Sequence, residues 1–338
     1  MKSGMNVLAV LGAGSWGTAL AMLAARQGHT VFLWDRNSKH IDSLRKEHSN
    51  IRYLPDFQLS RKIIPVSDFS CLTETKNFII AVPSHAFRAT LISLRNNLPK
   101  IDQSWRFCWG TKGLEVETGK LLSEVFEEVI GQSATRGAVS GPSFAKEVAK
   151  ELPTAMTIAA HDKSEAHHLA SWFRNNRTRI YTTNDLTGVQ LGGAIKNVIA
   201  IATGISDGLG FGVNARSAII TRGLAEMVRL GIALGGQTET FMGLAGIGDL
   251  VLTCTDNQSR NRRVGIAIGE GKTLTKALNQ ISQETEGVDS ARAIFEISNK
   301  LSVDAPITEQ VCRVLFNGVA PKIAVQSLLD REPRPENS

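Results

Sequence analysis

Apolar and polar residues along the first half of the chain fall into blocks whose lengths alternate between those of strands and helices. Residues 7–11 (Val-Leu-Ala-Val-Leu) are apolar throughout and stop at Gly12, which reads as a buried strand. Residues 15–26 are rich in Ala and Leu and close at Gly28, a helix, and 30–34 is a second strand. Together they make a strand–helix–strand unit. The rhythm continues with strands at 77–82, bounded by Pro83, at 105–109, at a short run ending in Ala138-Val139, and at 153–160 and 178–183. Helices are expected at 84–97 and 118–129. Strands alternating with helices predict an α/β fold with a doubly wound, Rossmann-type sheet.

Near Asp185 the rhythm changes. From there the pattern holds no convincing strand. Residues 186–206 and 216–234 read as long apolar helices, followed by shorter ones near 258–268, 273–280, 287–299, 306–316 and 320–329. The sequence therefore divides into a dinucleotide-binding unit, 1–188, and an all-α unit, 189–330, with a polar tail, 331–338. No linker of Pro, Ser or charge marks the junction, so the halves are expected to pack tightly. Residues 5–25 carry no charge and follow Lys2, which resembles a signal or membrane span. Gly12, Gly14 and Gly17 interrupt the run, and a buried strand–turn–helix accounts for it better.

Composition adds bounds. The chain has 338 residues, 42% hydrophobic and 21% charged, enough to bury a core in two domains without disulfides or metals. Net charge is +6, from 38 Lys+Arg against 32 Asp+Glu, yet no run of five basic residues occurs, so nucleic acid is not the expected partner. Cysteines 71, 108, 254 and 312 form no CxxC, which points to a reducing compartment rather than a zinc ribbon. His161, His167 and His168 lack metal-ligand spacing, no serine sits in a GxSxG elbow, and aromatic residues do not interleave with basic ones.

The chemistry-bearing motifs then stand out. Gly12-Ala-Gly-Ser-Trp-Gly17 fits GxGxxG and lies between a strand and a helix, the context of a dinucleotide fingerprint. Gly12 permits the tight turn, Gly14 lets a pyrophosphate approach the backbone, and Gly17 lets helix and strand close up. The helix start offers free N–H groups to phosphates. The second strand ends in Trp34-Asp35-Arg36. Asp35 suits the ribose hydroxyls of NAD, and Arg36 suits the 2′-phosphate of NADP, so the two argue in opposite directions.

Lys196 lies in a helix whose neighbours are apolar or small on every face, so its amine either snorkels or is held in a pocket. Burial would lower its pKa towards the range of a proton shuttle. Asn197 is equally out of place. Asp249, between a Gly-rich turn and an apolar stretch, is either a helix N-cap or a carboxylate that positions Lys196 or a substrate hydroxyl. Ser259-Arg260-Asn261 at a helix start suits a phosphate, with Arg262 and Arg263 on a solvated face. Lys112, and Ser140-Gly-Pro-Ser143, follow the ends of strands, where open α/β sheets bind ligands.

These segments, with Ala81-Val-Pro-Ser84, Thr111-Lys-Gly113, Gly192-Gly-Ala-Ile-Lys-Asn-Val198 and Gly246-Ile-Gly-Asp-Leu250, occur in one order over about residues 5–328. The chain thereby closely resembles the bacterial NAD(P)-dependent glycerol-3-phosphate dehydrogenases. The resemblance implies a cytoplasmic oxidoreductase interconverting dihydroxyacetone phosphate and sn-glycerol 3-phosphate for phospholipid synthesis, with NADP or NAD as cofactor. It implies Lys196 as proton donor and acceptor. Substrate contacts would come from Lys112, Gly141, Ser143, Lys196, Asp249, Ser259, Arg260 and Asn261. Cofactor contacts would come from Gly12, Gly14, Ser15, Trp16, Gly17, Arg36, Lys112, Ala145, Arg260 and Glu286, with Glu284 and Thr253 as lesser candidates. The implied partner is a small phosphorylated triose, with no metal, nucleic acid or stable membrane insertion, and the apolar helical half is compatible with a homodimer. Two other classes fit the build: an oxidoreductase acting on a β-hydroxy acid such as 6-phosphogluconate, and a dinucleotide sensor without turnover.

Overall fold

A computed structural model of the chain describes residues 6–98, 100–281 and 283–331. Among the described residues ten strands form in chain order: β1 (Val7–Leu11), β2 (Thr30–Trp34), β3 (Ser49–Asn50), β4 (Leu54–Gln58), β5 (Ile63–Val66), β6 (Asn77–Ile80), β7 (Arg106–Trp109), β8 (Thr135–Ser140), β9 (Thr154–Ala160) and β10 (Thr178–Thr183). Eight of them make one sheet in the order β10-β9-β8-β7-β6-β1-β2-β5, and β3-β4 is a small antiparallel ribbon. Every sheet neighbour is parallel except β8 and β9, so β9 and β10 run against the other six.

The apolar runs follow from burial on both faces. Leu8 and Val10 enter the core beneath helix Ser15–Arg26, whereas Ala9 and Leu11 enter the opposite core with Phe78, Phe107 and Trp109. That is the period-two alternation of a strand covered by helices on either side. The chain leaves β1 towards β2 on one side and returns to β6 on the other. The ends of β1 and β6 therefore flank the switch point where such sheets bind ligands.

Beyond Thr183 the described residues form only helices and turns. The axis of this half is helix Leu186–Gly208, capped by Asp185 Oδ1, which accepts from the Gly188 N–H at 2.8 Å. It is the one described helix long and apolar enough to cross a membrane, and 94% of its most apolar window is buried within the fold. Helix Arg260–Gly269 packs on it almost backbone to backbone. Gly204 and Gly208 face Gly265 and Gly269, so that a Cβ on Gly204 would lie 2.1 Å from the Arg262 carbonyl oxygen and one on Gly269 2.9 Å from the Gly208 Cα. A third core fills the space between these helices and those at Glu286–Lys300 and Pro306–Phe316.

Several elements depart from expectation for local reasons. The helix expected from residue 118 starts only at Leu122, because Gly119 adopts φ +71° and the Leu121 N–H is taken by Glu124 Oε2 at 2.7 Å. Strand β5 escapes the pattern because Pro65 interrupts it, which an edge strand tolerates. Helix Ser38–Glu47 falls outside the expected pattern, and it and helix Lys163–Ser171 each start on a side-chain cap, Asn37 and Asp162.

Candidate functional site

The loop after β1 shows what its glycines are for. Gly12 has φ +108°, and a Cβ there would meet the Ala81 carbonyl oxygen at 2.8 Å; a Cβ on Gly17 would lie 1.9 Å from the Gly12 carbonyl oxygen. At Gly14, by contrast, a Cβ would meet nothing within 4 Å, so this face of the loop is open. Gly14 caps helix Ser15–Arg26 without a side-chain hydrogen bond, which leaves the first-turn N–H groups for a ligand. Asp35 braces the loop: Oδ2 accepts from the Ala13 N–H at 3.1 Å and Oδ1 from the Asn37 N–H at 2.9 Å. Arg36 beside it is exposed.

A cleft of about 750 Å³ opens here. The sheet half contributes Gly12, Gly14, Ser15, Trp16 and Arg36, the loops Lys112 and Ser143, helix Ala145–Ala149 its first residue, Ala145, and the helical half Lys196, Ser259, Arg260, Asn261 and Glu286. Gly17, Gly141 and Asp249 lie behind this wall and support it. The wall also includes Arg52, Tyr53 and Gln258, which no sequence pattern marked. Arg52 and Tyr53 arrive on the β3–β4 ribbon, docked by Asn50, whose side-chain amide donates to the Ala13 carbonyl at 2.9 Å and to Thr18 Oγ1 at 2.7 Å.

At the floor, one carboxylate bridges two ammonium groups. Lys196 Nζ donates to Asp249 Oδ1 at 2.7 Å and to Thr253 Oγ1 at 2.8 Å, while Lys112 Nζ donates to Asp249 Oδ2 at 2.7 Å and to the Gly141 carbonyl at 3.4 Å. Asp249 is 1% exposed and Lys196 6%. Of the two readings of Asp249, the ion pair holds and the cap does not: Gly248 caps helix Asp249–Thr255, after one π turn at Leu244–Gly248. That turn fits because Gly192 admits the Ala245 carbonyl oxygen to within 2.5 Å of where its Cβ would be. Burial pulls Lys196 down to about 8; Asp249 opposes the shift and Lys112 adds to it. Burial alone would raise Asp249, but the two ammonium groups hold it below its ordinary value.

Ser259, Arg260 and Asn261 form the adjoining wall. Ser259 caps helix Arg260–Gly269, its Oγ accepting from the Arg262 N–H at 3.2 Å, and Asn261 Oδ1 accepts from the Gly287 N–H at 3.0 Å. Arg260 faces the cleft. Burial lowers its pKa, and Glu286 counteracts. Glu286 joins the halves by accepting from the Ser84 N–H at 3.3 Å, and burial pushes it up to about 7 against the pull of Arg260. Arg262 corrects the expectation of a solvated face. It is buried, donates to the Cys254 carbonyl at 3.1 Å and pairs with Asp207, because the helix turns that side towards helix Leu186–Gly208. Arg263 is exposed.

Comparison with known proteins places this architecture. Family models described as the NAD-dependent glycerol-3-phosphate dehydrogenase N-terminus and C-terminus match residues 7–166 and 185–326. A glycerol-3-phosphate dehydrogenase [NAD(P)+] of Methylococcus capsulatus is 50% identical over 333 residues, 98% of each chain. That of Thioalkalivibrio sulfidiphilus is 51% identical over 330 residues, 97% of this chain and 98% of the relative. The crystal structure of glycerol-3-phosphate dehydrogenase from Coxiella burnetii superposes with a TM-score of 0.93 at 44% identity, covering 97% of this chain and 99% of that one.

Proposed function

The chain belongs to the NAD-dependent glycerol-3-phosphate dehydrogenase family and is an NAD(P)-dependent oxidoreductase acting on a CH–OH group; from that premise we propose how its residues divide the work of interconverting dihydroxyacetone phosphate and sn-glycerol 3-phosphate. The observation that carries the assignment is the buried Lys196–Asp249–Lys112 bridge at the floor of a cleft whose other wall is a dinucleotide loop. We take residues 1–188 as the cofactor unit and 189–330 as the catalytic unit.

The groups present fit a dinucleotide. The open face at Gly14 and the uncapped helix start suit a pyrophosphate, with Ser15 and Trp16 beside it. Exposed Arg36 suits a 2′-phosphate, with Arg52 on the same cleft, while Asp35 is engaged by two backbone N–H groups; this favours NADPH over NADH. When bound, the nicotinamide supplies or takes up the hydride.

In the reducing direction the Lys196 ammonium hydrogen-bonds the substrate carbonyl oxygen and delivers the proton that completes the hydroxyl; in the oxidising direction the neutral amine takes it back. A pKa of about 8 keeps both forms accessible near neutral pH. Asp249 and Thr253 hold the amine in place. Arg260, Ser259 and Asn261 bind the phosphate, and Lys112, Gly141 and Ser143 bound the rest of the triose, which fixes the reacting carbon relative to Lys196. We place the enzyme in the cytoplasm, and its apolar helical half is compatible with a homodimer.

The test is loss of reduced-nicotinamide absorbance with purified protein and dihydroxyacetone phosphate, run in parallel with NADPH and NADH. Turnover is expected with both, faster with NADPH. Lys196→Met should bind cofactor and lose nearly all turnover. A folded protein that binds cofactor but turns over neither would refute the substrate assignment, and normal turnover by Lys196→Met would refute the proton role.

A further inference from the structure

Lys112 stands in a stretch, 110–121, with neither helix nor strand, between β7 and helix Leu122–Ile130. Its ammonium is nevertheless held on Asp249 at 2.7 Å and 6.0 Å from the centre of the Trp16 ring. The stretch is gripped three residues further on. Glu115 is 5% exposed, and Arg88 meets it with two parallel bonds, Nε to Oε1 at 2.6 Å and Nη2 to Oε2 at 2.8 Å. Thr118 Oγ1 donates to the same Oε2 at 2.7 Å, and the Glu115 backbone pairs with Lys120 and Gly119. Leu114 beside it is buried in the helical-half core.

Arg88 lies on helix Ser84–Asn97, the same helix whose first N–H is bound by Glu286 and whose His85, Ala86 and Ala89 line the cleft. Arginine in fork geometry suits this task, because the planar bidentate contact fixes orientation as well as distance. Arg88 Nη2 also donates to Glu128 Oε2 at 2.7 Å; the guanidinium holds the Glu115 carboxyl below its usual range against the opposing charge of Glu128, so the pair keeps its charges across the pH interval in which Lys196 titrates.

We propose that the Arg88–Glu115 pair positions Lys112, locking its loop to the cofactor-facing helix so that the ammonium stays on Asp249 beside the reacting centre. This rests on the reading of Lys112 as a substrate contact. The consequence reaches Lys196, whose charged neighbours are Asp249, which raises its pKa, and Lys112, which lowers it; Cys254 nearby is pushed up to about 12 and stays neutral. Displacing Lys112 therefore raises the pKa of Lys196.

The experiment compares Glu115→Gln, Arg88→Lys, Lys112→Met and the double variant Glu115→Gln/Lys112→Met. Each is measured for kcat and KM for dihydroxyacetone phosphate across pH, with thermal melting and NADPH binding as controls of folding. Glu115→Gln is isosteric and keeps the loop's shape. It should raise KM about tenfold, as expected for a misplaced charge-assisted contact. It should also move the alkaline limb of kcat/KM to higher pH, with Arg88→Lys intermediate. In the Lys112→Met background the same change should add nothing to KM. Equal KM effects in the two backgrounds, or an unmoved limb in Glu115→Gln while Lys112→Met moves it, would overturn the positioning role and leave the reading of Lys112 standing. No effect of Lys112→Met itself would overturn both.

Discussion

Replacing Asp249 with Asn removes the one anion shared by two ammonium groups and keeps the shape of the site. Two unit charges about 4 Å apart interact by about 1 kcal/mol in bulk water and about 4 kcal/mol at an effective dielectric near 20. With about 1.4 kcal/mol per pKa unit, loss of the Asp249 charge lowers Lys196 by roughly one to three units. The starting point is about 8, and the remaining influences, burial and the Lys112 charge, both act in the same downward direction. With Lys196 as the proposed proton donor, reduction needs its ammonium form, so the alkaline limb of kcat/KM for dihydroxyacetone phosphate is expected to move to lower pH. At pH 7.5 the protonated fraction falls about threefold for a one-unit drop and about 200-fold for three. The assay is a pH–rate profile from about 5.5 to 9.5 with NADPH, alongside NADPH binding to show that the cleft is intact. A limb that stays in place or moves upward, in a folded variant that binds cofactor, would refute the electrostatic coupling.

Other outcomes follow from the same geometry. Gly14→Ala should fold normally, since its Cβ meets nothing, but weaken NADPH binding by filling the open face; Gly17→Ala should lower Tm sharply, its Cβ falling 1.9 Å from the Gly12 carbonyl oxygen. Binding titrations and thermal melts separate the two, and unchanged cofactor affinity in Gly14→Ala would argue against the pyrophosphate placement. Arg36→Gln should raise KM for NADPH about tenfold, the scale of one charge-assisted hydrogen bond, with little change for NADH; equal effects on both would remove Arg36 from the 2′-phosphate. Glu226 is buried and accepts from the Ile307 N–H at 2.5 Å and the Thr308 N–H at 3.2 Å, and burial pushes it from 4.5 to about 7. The folded chain thus holds this proton more tightly than the unfolded one, so the group's contribution to stability declines as pH rises from about 4.5 to about 7. Glu226→Gln should narrow the difference in Tm between pH 5 and pH 8, and an unaltered difference would exclude Glu226 as its source.

How much could be read from the chain depended on the range of the interaction. β1, β2 and helix Ser15–Arg26 begin and end where the apolar runs do, because each is decided by neighbours within a few residues. The ribbon β3–β4 and edge strand β5 escaped, since Pro55 and Pro65 break the pattern and their pairing is set by partners elsewhere. The oddity of a lysine in an apolar helix was visible at Lys196. Asp249, 53 residues away, was among the readings as its partner, but the contact of Lys112 with that same carboxylate across 137 residues was not legible. Arg262 was misplaced for the same reason: its partner Asp207 is 55 residues distant, and nothing local separates it from exposed Arg263.

The glycine-to-glycine crossing of helices Leu186–Gly208 and Arg260–Gly269 makes the pair a calliper. Lys196 is eight residues before Gly204 on one arm, about 12 Å of rise, and Arg260 is five before Gly265 on the other, about 7.5 Å. With the backbones in contact at the pivot, no side chain is left there to give way, so the spacing of the main-chain positions that carry Lys196 and Arg260 is set by the crossing itself. A site built in this way measures its ligand by length: a carbonyl and a phosphate separated by the wrong number of carbons would reach one jaw and miss the other.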